Sequence, residues 1–342
     1  DGRLNIGGDF YYKKTTDLFT NVDVSPINGI TSYIMNNGDM TNKGFSISLN
    51  GYPVKTKNFR WYMSTYYSVN LNKVQTDDAR NYNLNDYLNG TAVVSGQPIS
   101  TFYSYKFLGL NPQNGAPMFD DWEDRWHLLQ GKTLDEVVPM ILVNSGTRDP
   151  KFSGDLNNTF TYKNWSLSLN FSYSLGSKVR LFEMYGPIIN GISAAANVRE
   201  EFLDRWQVPG DEKYTVYPSI ISPSSPDYEH YRLHYSAPQR AVGPNSGVPA
   251  FANNVWQMYD DSDLRVVSGN YLKLQSLSFS YRLNDRLLRK TPFTQLSISF
   301  NTHNCFTISA KELRGQDPSQ AGFADAGLSI RPSYTIGLNV SF

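Results

Sequence analysis

The chain has 342 residues and a formal net charge of zero, which excludes the one-signed electrostatic footprint of a nucleic-acid binder. Charged residues make up only 18% and aromatics 14%, a mix unusual for a soluble enzyme and suited to places where a ring is apolar at one end and wet at the other. One cysteine, Cys305, excludes an internal disulfide framework and a cysteine metal site, and no apolar run approaches the roughly 20 residues of a membrane helix.

Eight segments alternate apolar with small polar residues, the period of a strand with two unlike faces. The first covers residues 3–13, with Leu4, Ile6, Phe10 and Tyr12 on one face. The second sets Phe45, Ile47 and Leu49 against Ser46, Ser48 and Asn50. The third sets Phe59, Trp61, Met63, Tyr67, Val69 and Leu71 against Arg60, Ser64, Ser68 and Asn70. In the fourth, residues 152–162, Leu156, Phe160 and Tyr162 alternate with Asn157, Thr159 and Thr161. The fifth is the most regular: Trp165, Leu167, Leu169, Phe171, Tyr173 and Leu175 interleave with Ser and Asn. The sixth carries Leu277, Phe279, Tyr281 and Leu283, and the seventh Leu296, Ile298 and Phe300. The eighth ends the chain with Tyr334, Ile336, Leu338, Val340 and Phe342.

Such faces suit a barrel wall with lipid outside and water inside, and a mean hydropathy of -0.44 is compatible with it, because only every second residue meets lipid. The polar faces are Ser, Thr and Asn rather than Lys and Glu, as a crowded hydrated lumen requires. Between the fourth and fifth strands only Lys163 and Asn164 intervene, and a tight hairpin there pairs Tyr162 with Trp165 on one face. The remaining connections alternate: long at 18–42, short at 53–58, very long at 72–150, very long again at 176–269, short at 284–292 and long at 305–332. Short turns on one side and long loops on the other are the signature of an outer-membrane barrel, with the short turns periplasmic. An upward first strand then brings Phe342 down to the periplasmic side. Within the loops, 133–142 and 197–206 have the apolar spacing of short helices. Residues 103–110 read as a further strand, placed in an extracellular loop because counting it in the wall breaks the parity. The fold expected is all-β: an antiparallel transmembrane β-barrel region of about eight strands spanning 1–342.

Motifs in order along the chain add a resemblance. DFYYKKTTDL (9–18), NKGFSISLN (42–50), PKFSGDLNNTFTYKNWSLSLNFSYSLGSK (150–178), FLDRWQVPGDE (202–212), SDLRVVSGNYLKLQSLSFSY (262–281), NCFTIS (304–309) and GQDPS (315–319) are similar to the C-terminal barrel region of SusC-type TonB-dependent transporters. The resemblance implies a 22-stranded barrel around a plug. It implies import of a nutrient, an oligosaccharide or a peptide, driven through TonB, with a SusD-like lipoprotein as a lid. It also implies an outer-membrane location in a Gram-negative bacterium, and Phe342 as the signal read by the barrel-assembly machinery. No enzyme activity and no cofactor are expected. The chain departs from the family at Gly154-Asp155, at Thr302-His303 before Asn304, and at Cys305. The acidic segment 119–136 lacks the spacing of a cation loop, so calcium there is not favoured.

Several side chains are candidates for a site. Asp121, Glu123, Trp122 and Trp126 could meet a sugar, with rings on pyranose faces and carboxylates accepting hydroxyls; packing among the loops or against a lid is the favoured alternative. Arg60 and Arg282 lie on lumen-facing registers and could line a substrate path or pair with a plug. His230 and His234 are four apart in a Pro-, Ser- and Tyr-rich stretch, read as a solvated loop rather than a metal site. Asp260, Asp261 and Asp263 lack a framing glycine and read as a polar loop before a strand. Trp206 reads as a structural anchor and Cys305 as a small apolar residue near a strand end.

The chain opens at Asp1 without an initiator Met or signal peptide, so a processed product or a piece of something longer is expected. An open arc would leave edge backbone groups unsatisfied in lipid, so the missing plug and strands are expected in the same native polypeptide or in another chain. Two alternatives stay open: a self-contained barrel acting as an adhesin or enzyme, and a soluble β-sandwich that binds glycans.

Overall fold

The alternating segments assemble, in a computed structural model, into one antiparallel sheet in which every strand is bonded to its neighbours in the chain. The described residues are 3–23, 27, 29, 32–36, 38–76, 82–122, 124–186, 197–221, 223–233, 241–242, 248–249, 251, 254–320 and 330–342. The wall strands are β1 (Leu4–Thr15), β2 (Asp39–Lys55), β3 (Phe59–Gln75), β4 (Phe152–Tyr162), β5 (Trp165–Leu175), β6 (Tyr271–Arg282), β7 (Gln295–Ser309) and β8 (Ser333–Ser341). The order ends at β1 and β8, which are not bonded to each other, so these eight strands form an arc rather than a closed barrel.

Registers follow from the side-chain pattern. Tyr162 faces Trp165 and Phe160 faces Leu167, as a two-residue hairpin requires. Phe10, Phe45 and Val69 lie in one row across β1–β3, and Phe279, Phe300 and Ile336 in another across β6–β8. These rows form one outward apolar face, and among the described residues no second sheet packs on it. Ile336 is 79% exposed and Phe10 78%, values that water would penalise and lipid accepts. The β-sandwich alternative fails here, since it needs that face buried against another sheet.

Two pairings show why glycines interrupt the rows. Tyr11 lies across Gly44 on the lumen face and donates to Asn70 Oδ1 at 2.8 Å. On the outward face Tyr173 lies across Gly154 and donates to the Tyr66 carbonyl at 3.2 Å. A Cβ on Gly154 would stand 2.0 Å from the Tyr66 carbonyl oxygen and 2.4 Å from the Tyr173 hydroxyl, so it is the glycine at this position, which the family shares, that makes room for a ring.

Strand ends differ from the sequence reading. β2 and β3 extend to Asp39 and Gln75 because their pairing continues above the apolar stretch. β7 does not stop at Cys305 but runs to Ser309. Asn304, at φ 54, takes part in a bulge that resets the alternation, so that Phe306 and Ile308 face Leu274 and Leu272. Cys305 sits in that bulge, with its Sγ 3.3 Å from Thr302 Oγ1.

Short connections lie at 56–58, 163–164 and 283–294, and long ones at 16–38, 76–151, 176–270 and 310–332. The helices among the described residues are α1 (Leu84–Asn89), α2 (Leu134–Ile141), α3 (Tyr228–Leu233), α4 (Val255–Asp260) and α5 (Asp285–Leu288), none long and apolar enough to cross a membrane. α2 stands where the spacing placed a helix. The segment predicted as a helix at 197–206 is instead a 3-10 turn, Glu200–Asp204, because the Trp206 amide leaves the helical ladder to donate to the Tyr217 carbonyl at 2.9 Å. The segment 103–110 is not one strand: its start belongs to Thr101–Tyr105, which pairs with Leu142–Thr147 outside the wall as expected for a loop strand, and Gly109–Leu110 pairs separately with Pro117–Met118.

Candidate binding surface at the loop end

The long loops build the largest buried apolar cluster of the molecule. α1 is closed by a capping box, in which Asn83 Oδ1 accepts the Asp86 amide and the Asp86 carboxylate accepts the Asn83 amide, and it ends at Gly90 with φ 67. α2 starts with the equivalent Thr133–Glu136 box and buries Leu134, Val137, Val138 and Ile141. The backbone and hydroxyl of Thr133 hold the Glu136 carboxyl below its ordinary range. These helices, α4 and the Thr101–Tyr105 ladder enclose an edge-to-face aromatic cluster: Tyr87 meets Tyr103, Tyr105 meets Phe119, and Phe107 and Tyr185 meet Tyr259 at 5.7 and 5.4 Å.

The acidic run at the end of α4 ties this body together. Asp260 accepts three backbone N–H groups, from Met184, Tyr185 and Gly186, each at 2.8 Å. Burial pushes its carboxyl up, although Arg265 and those amides pull the other way. Asp261 stands 3.7 Å from Arg180; burial lifts its carboxyl to about 6 against that guanidinium. Asp263 takes Lys106 at 2.7 Å and the Phe107 amide at 3.0 Å. Arg180 in turn donates to the carbonyls of Tyr103 and Leu88, and the fully buried Arg265 to that of Phe182. The three aspartates thus face three different partners, and no cluster able to hold a metal ion forms among the described residues. The stretch read as a simple polar loop is a clamp between two loops. The arginines that complete it follow no period, and only the motif SDLR hinted at one of them.

The acidic–aromatic segment closes on itself. Both Asp120 oxygens lie 2.6 Å from Arg125 Nη2, and the Arg125 guanidinium stacks 4.3 Å above the Trp122 ring. Trp122 is 8% exposed and belongs to the loop core, so its ring is packed rather than presented as a platform. Asp121 is half-buried beside it. Glu123 lies outside the described residues, as does the side chain of Trp126, which begins the single turn Trp126–Leu128. His230 lies on α3 with its ring edge-on to Tyr231 at 5.0 Å, and His234 lies outside the described residues. Trp206 is buried against Gly115 and donates to Glu212, as an anchor would.

Arg60 and Arg282 keep their lumen-side registers but stand at the short-turn end, exposed, far along the strands from the loop body. The alternation missed a buried ion pair at the other end: Lys273 Nζ meets Asp317 at 3.2 Å, with both side chains about 5% exposed or less. Burial opposes charge on Asp317, but hydrogen bonds from Ser319 and Lys273 outweigh it and hold the carboxyl below its ordinary range. The pair fastens the GQDPS segment to β6.

No family model matches the chain. It is 24% identical to TonB-dependent receptor P3 of Formosa agariphila, over all of this chain and 33% of that receptor. It is 27% identical to TonB-dependent receptor SusC of Bacteroides thetaiotaomicron, over 56% of this chain and 19% of SusC. The relatives of this chain are TonB-dependent receptors. The structure of the RagAB peptide transporter superposes with a TM-score of 0.68 at 20% identity, covering 99% of this chain and 34% of that one, which establishes the fold. The SusC-type resemblance read from the motifs is therefore borne out, as is the antiparallel transmembrane barrel wall. The chain spans about a third of the length of the curated relatives that it matches end to end.

Proposed function

We propose that this chain forms the C-terminal wall and loop body of an outer-membrane, TonB-dependent nutrient importer that works with a SusD-like surface lipoprotein. The observation that carries the reading is the division of the molecule. An arc with a lipid-compatible face and a Ser- and Asn-lined opposite face bears, at one end alone, a packed body of loops. Loops of this kind dock a lid and shape a vestibule, while a wall of short hydroxyl and amide side chains, such as Ser278 bonded to Asn301 at 2.6 Å, passes a polar oligosaccharide or peptide without trapping it.

In this reading the long loops are extracellular and Phe342 ends on the periplasmic side, where the barrel-assembly machinery reads it. TonB acts through a plug carried elsewhere in the native polypeptide. Arg60 and Arg282 then line the periplasmic exit. Trp122 is engaged by Arg125, and Asp121, Glu123 and Trp126 are assigned in this reading to substrate or lid contact.

Uptake of fluorescent oligosaccharides and peptides by cells with and without the gene tests this. Expected is detergent-dependent extraction of the protein and uptake of one substrate class that is lost with the gene and on collapse of the proton gradient. Uptake unchanged by either, or a protein soluble without detergent, would refute it.

A further inference from the structure

The chain is neutral as a whole, but its charge is sorted along the strands. The stretches 55–60, 163–164 and 282–294 hold eight of the 31 Lys and Arg and one of the 31 acids, Asp285, which leaves 23 against 30 elsewhere. These stretches form one continuous rim: the Lys163 amide bonds to Asn58 at 2.9 Å, Arg282 to Asn164 at 3.0 Å, and Thr294 to Ser341 at 2.8 Å. All eight cations are exposed, and none forms an ion pair among the described residues.

Lys55, Arg60 and Arg282 sit on lumen registers. Lys57, Lys163, Arg286, Arg289 and Lys290 lie instead in the turns, with Leu287 55% exposed among them. Immediately inside the rim, the outward face carries a girdle of rings. Trp61 stacks on Phe160 at 5.7 Å, Trp165 packs on Tyr281 at 4.2 Å and Phe279 at 5.3 Å, and Phe293 meets Phe342 at 5.2 Å. Such rings settle where hydrocarbon gives way to headgroups, so cations placed just beyond them stand at the height of the phosphates.

We propose that the five turn cations form a binding rim for the phosphate groups of anionic phospholipids in the periplasmic leaflet. The proposal rests on the barrel reading above and goes beyond it, because lipid recognition is independent of cargo and of TonB. A plug or a periplasmic protein would meet the lumen-register arginines first. The turn cations adjoin the aromatic girdle, and one-signed charge beside that girdle complements an anionic membrane surface.

The test uses the full-length polypeptide that carries this chain, purified in neutral detergent and offered equal phosphatidylglycerol and phosphatidylcholine, with retained lipid counted by native mass spectrometry. The wild type is expected to retain phosphatidylglycerol at least tenfold over phosphatidylcholine, given about fivefold per well-placed cation. Lys57→Gln/Lys163→Gln/Arg286→Gln/Arg289→Gln/Lys290→Gln should bring the ratio near one, and a loop-end control, Lys132→Gln/Lys213→Gln, should leave it as in the wild type. A wild type without preference, a preference kept by the fivefold variant, or one lost in the control overturns the proposal. Should the fivefold variant fail to fold, the wild type decides alone: its preference must collapse in about 1 M salt, where screening acts within about 3 Å, and persistence there overturns it. Impermeant maleimide on Lys163→Cys in a Cys305→Ser background separates the two readings. Labelling in intact cells puts the turns outside and overturns the periplasmic assignment, whereas a shielded turn without lipid preference overturns the rim alone.

Discussion

Replacing Asp260 by Ala removes the acceptor of three backbone N–H groups, those of Met184, Tyr185 and Gly186, at a position 3% exposed where water cannot take over. An orphaned buried donor costs about 1–3 kcal/mol, and partial relaxation of the segment leaves ~3–6 kcal/mol for the set. The change also takes a compensating charge away from Arg265, which is 1% exposed. The loss should stay in the loop body, because the wall strands are bonded to one another through registers that do not involve α4. Amide hydrogen exchange of the full-length protein in detergent reads this. Exchange in Thr101–Tyr105 and α1, which are joined to the clamp by the Tyr105 amide on the Asp261 carbonyl and by Arg180 on the Tyr103 and Leu88 carbonyls, should accelerate about 100- to 10,000-fold. Exchange in β4 and β5 should not change. Unaltered protection of Thr101–Tyr105, or equal loss in β4 and β5, would refute the clamp.

Three further outcomes are expected. Asp261 has its carboxyl raised by burial to about 6, so its contribution to stability is fully present below about pH 4 and is lost as pH rises through about 6. Wild type compared with Asp261→Asn across that window should lose ~1–2 kcal/mol of loop-body stability, a figure discounted for a side chain 29% exposed, and a flat difference would contradict it. Asn158 faces outward with its Oδ1 accepting the Trp61 indole at 3.0 Å. Trp61→Phe should therefore cost about 1–2 kcal/mol by orphaning Asn158, while Trp61→Phe/Asn158→Leu, which removes both partners, is neutral or stabilising, read as heat-induced loss of the folded gel band. Asp317→Asn should free the 310–320 segment to proteolysis at a cost of ~3–5 kcal/mol by leaving Lys273 unpaired, and Lys273→Met/Asp317→Leu should restore most of the protection.

How much was legible in the residues depends on how local the physics is. In the wall, each strand needs only its own alternation and the turn to its neighbour, so Trp165 to Leu175 announced their face and Lys163-Asn164 their partner strand. The bulge at Asn304 escaped because it breaks the period through two extra residues, and pairing resumes only through contacts with Leu274 and Leu272 across the sheet. The candidate site was less legible still. Trp122 and the acids around it allowed a sugar platform beside the favoured reading of loop packing, and the choice between an offered and a buried ring depends on Arg125 and on a core gathered from two loops.

The sequence by itself determined the wall: its strand faces, its hairpin order, its short and long ends, and the sorting of cations to the short turns. Those properties repeat every two residues or follow from the turns between strands, and a contact across the sheet alters them at the Asn304 bulge. Only the tertiary structure decided the loop body. Arg180 reaches Tyr103 across 77 positions and Asp260 reaches Tyr185 across 75, and each buried charge is tolerable because remote backbone groups meet it as well as an opposite charge.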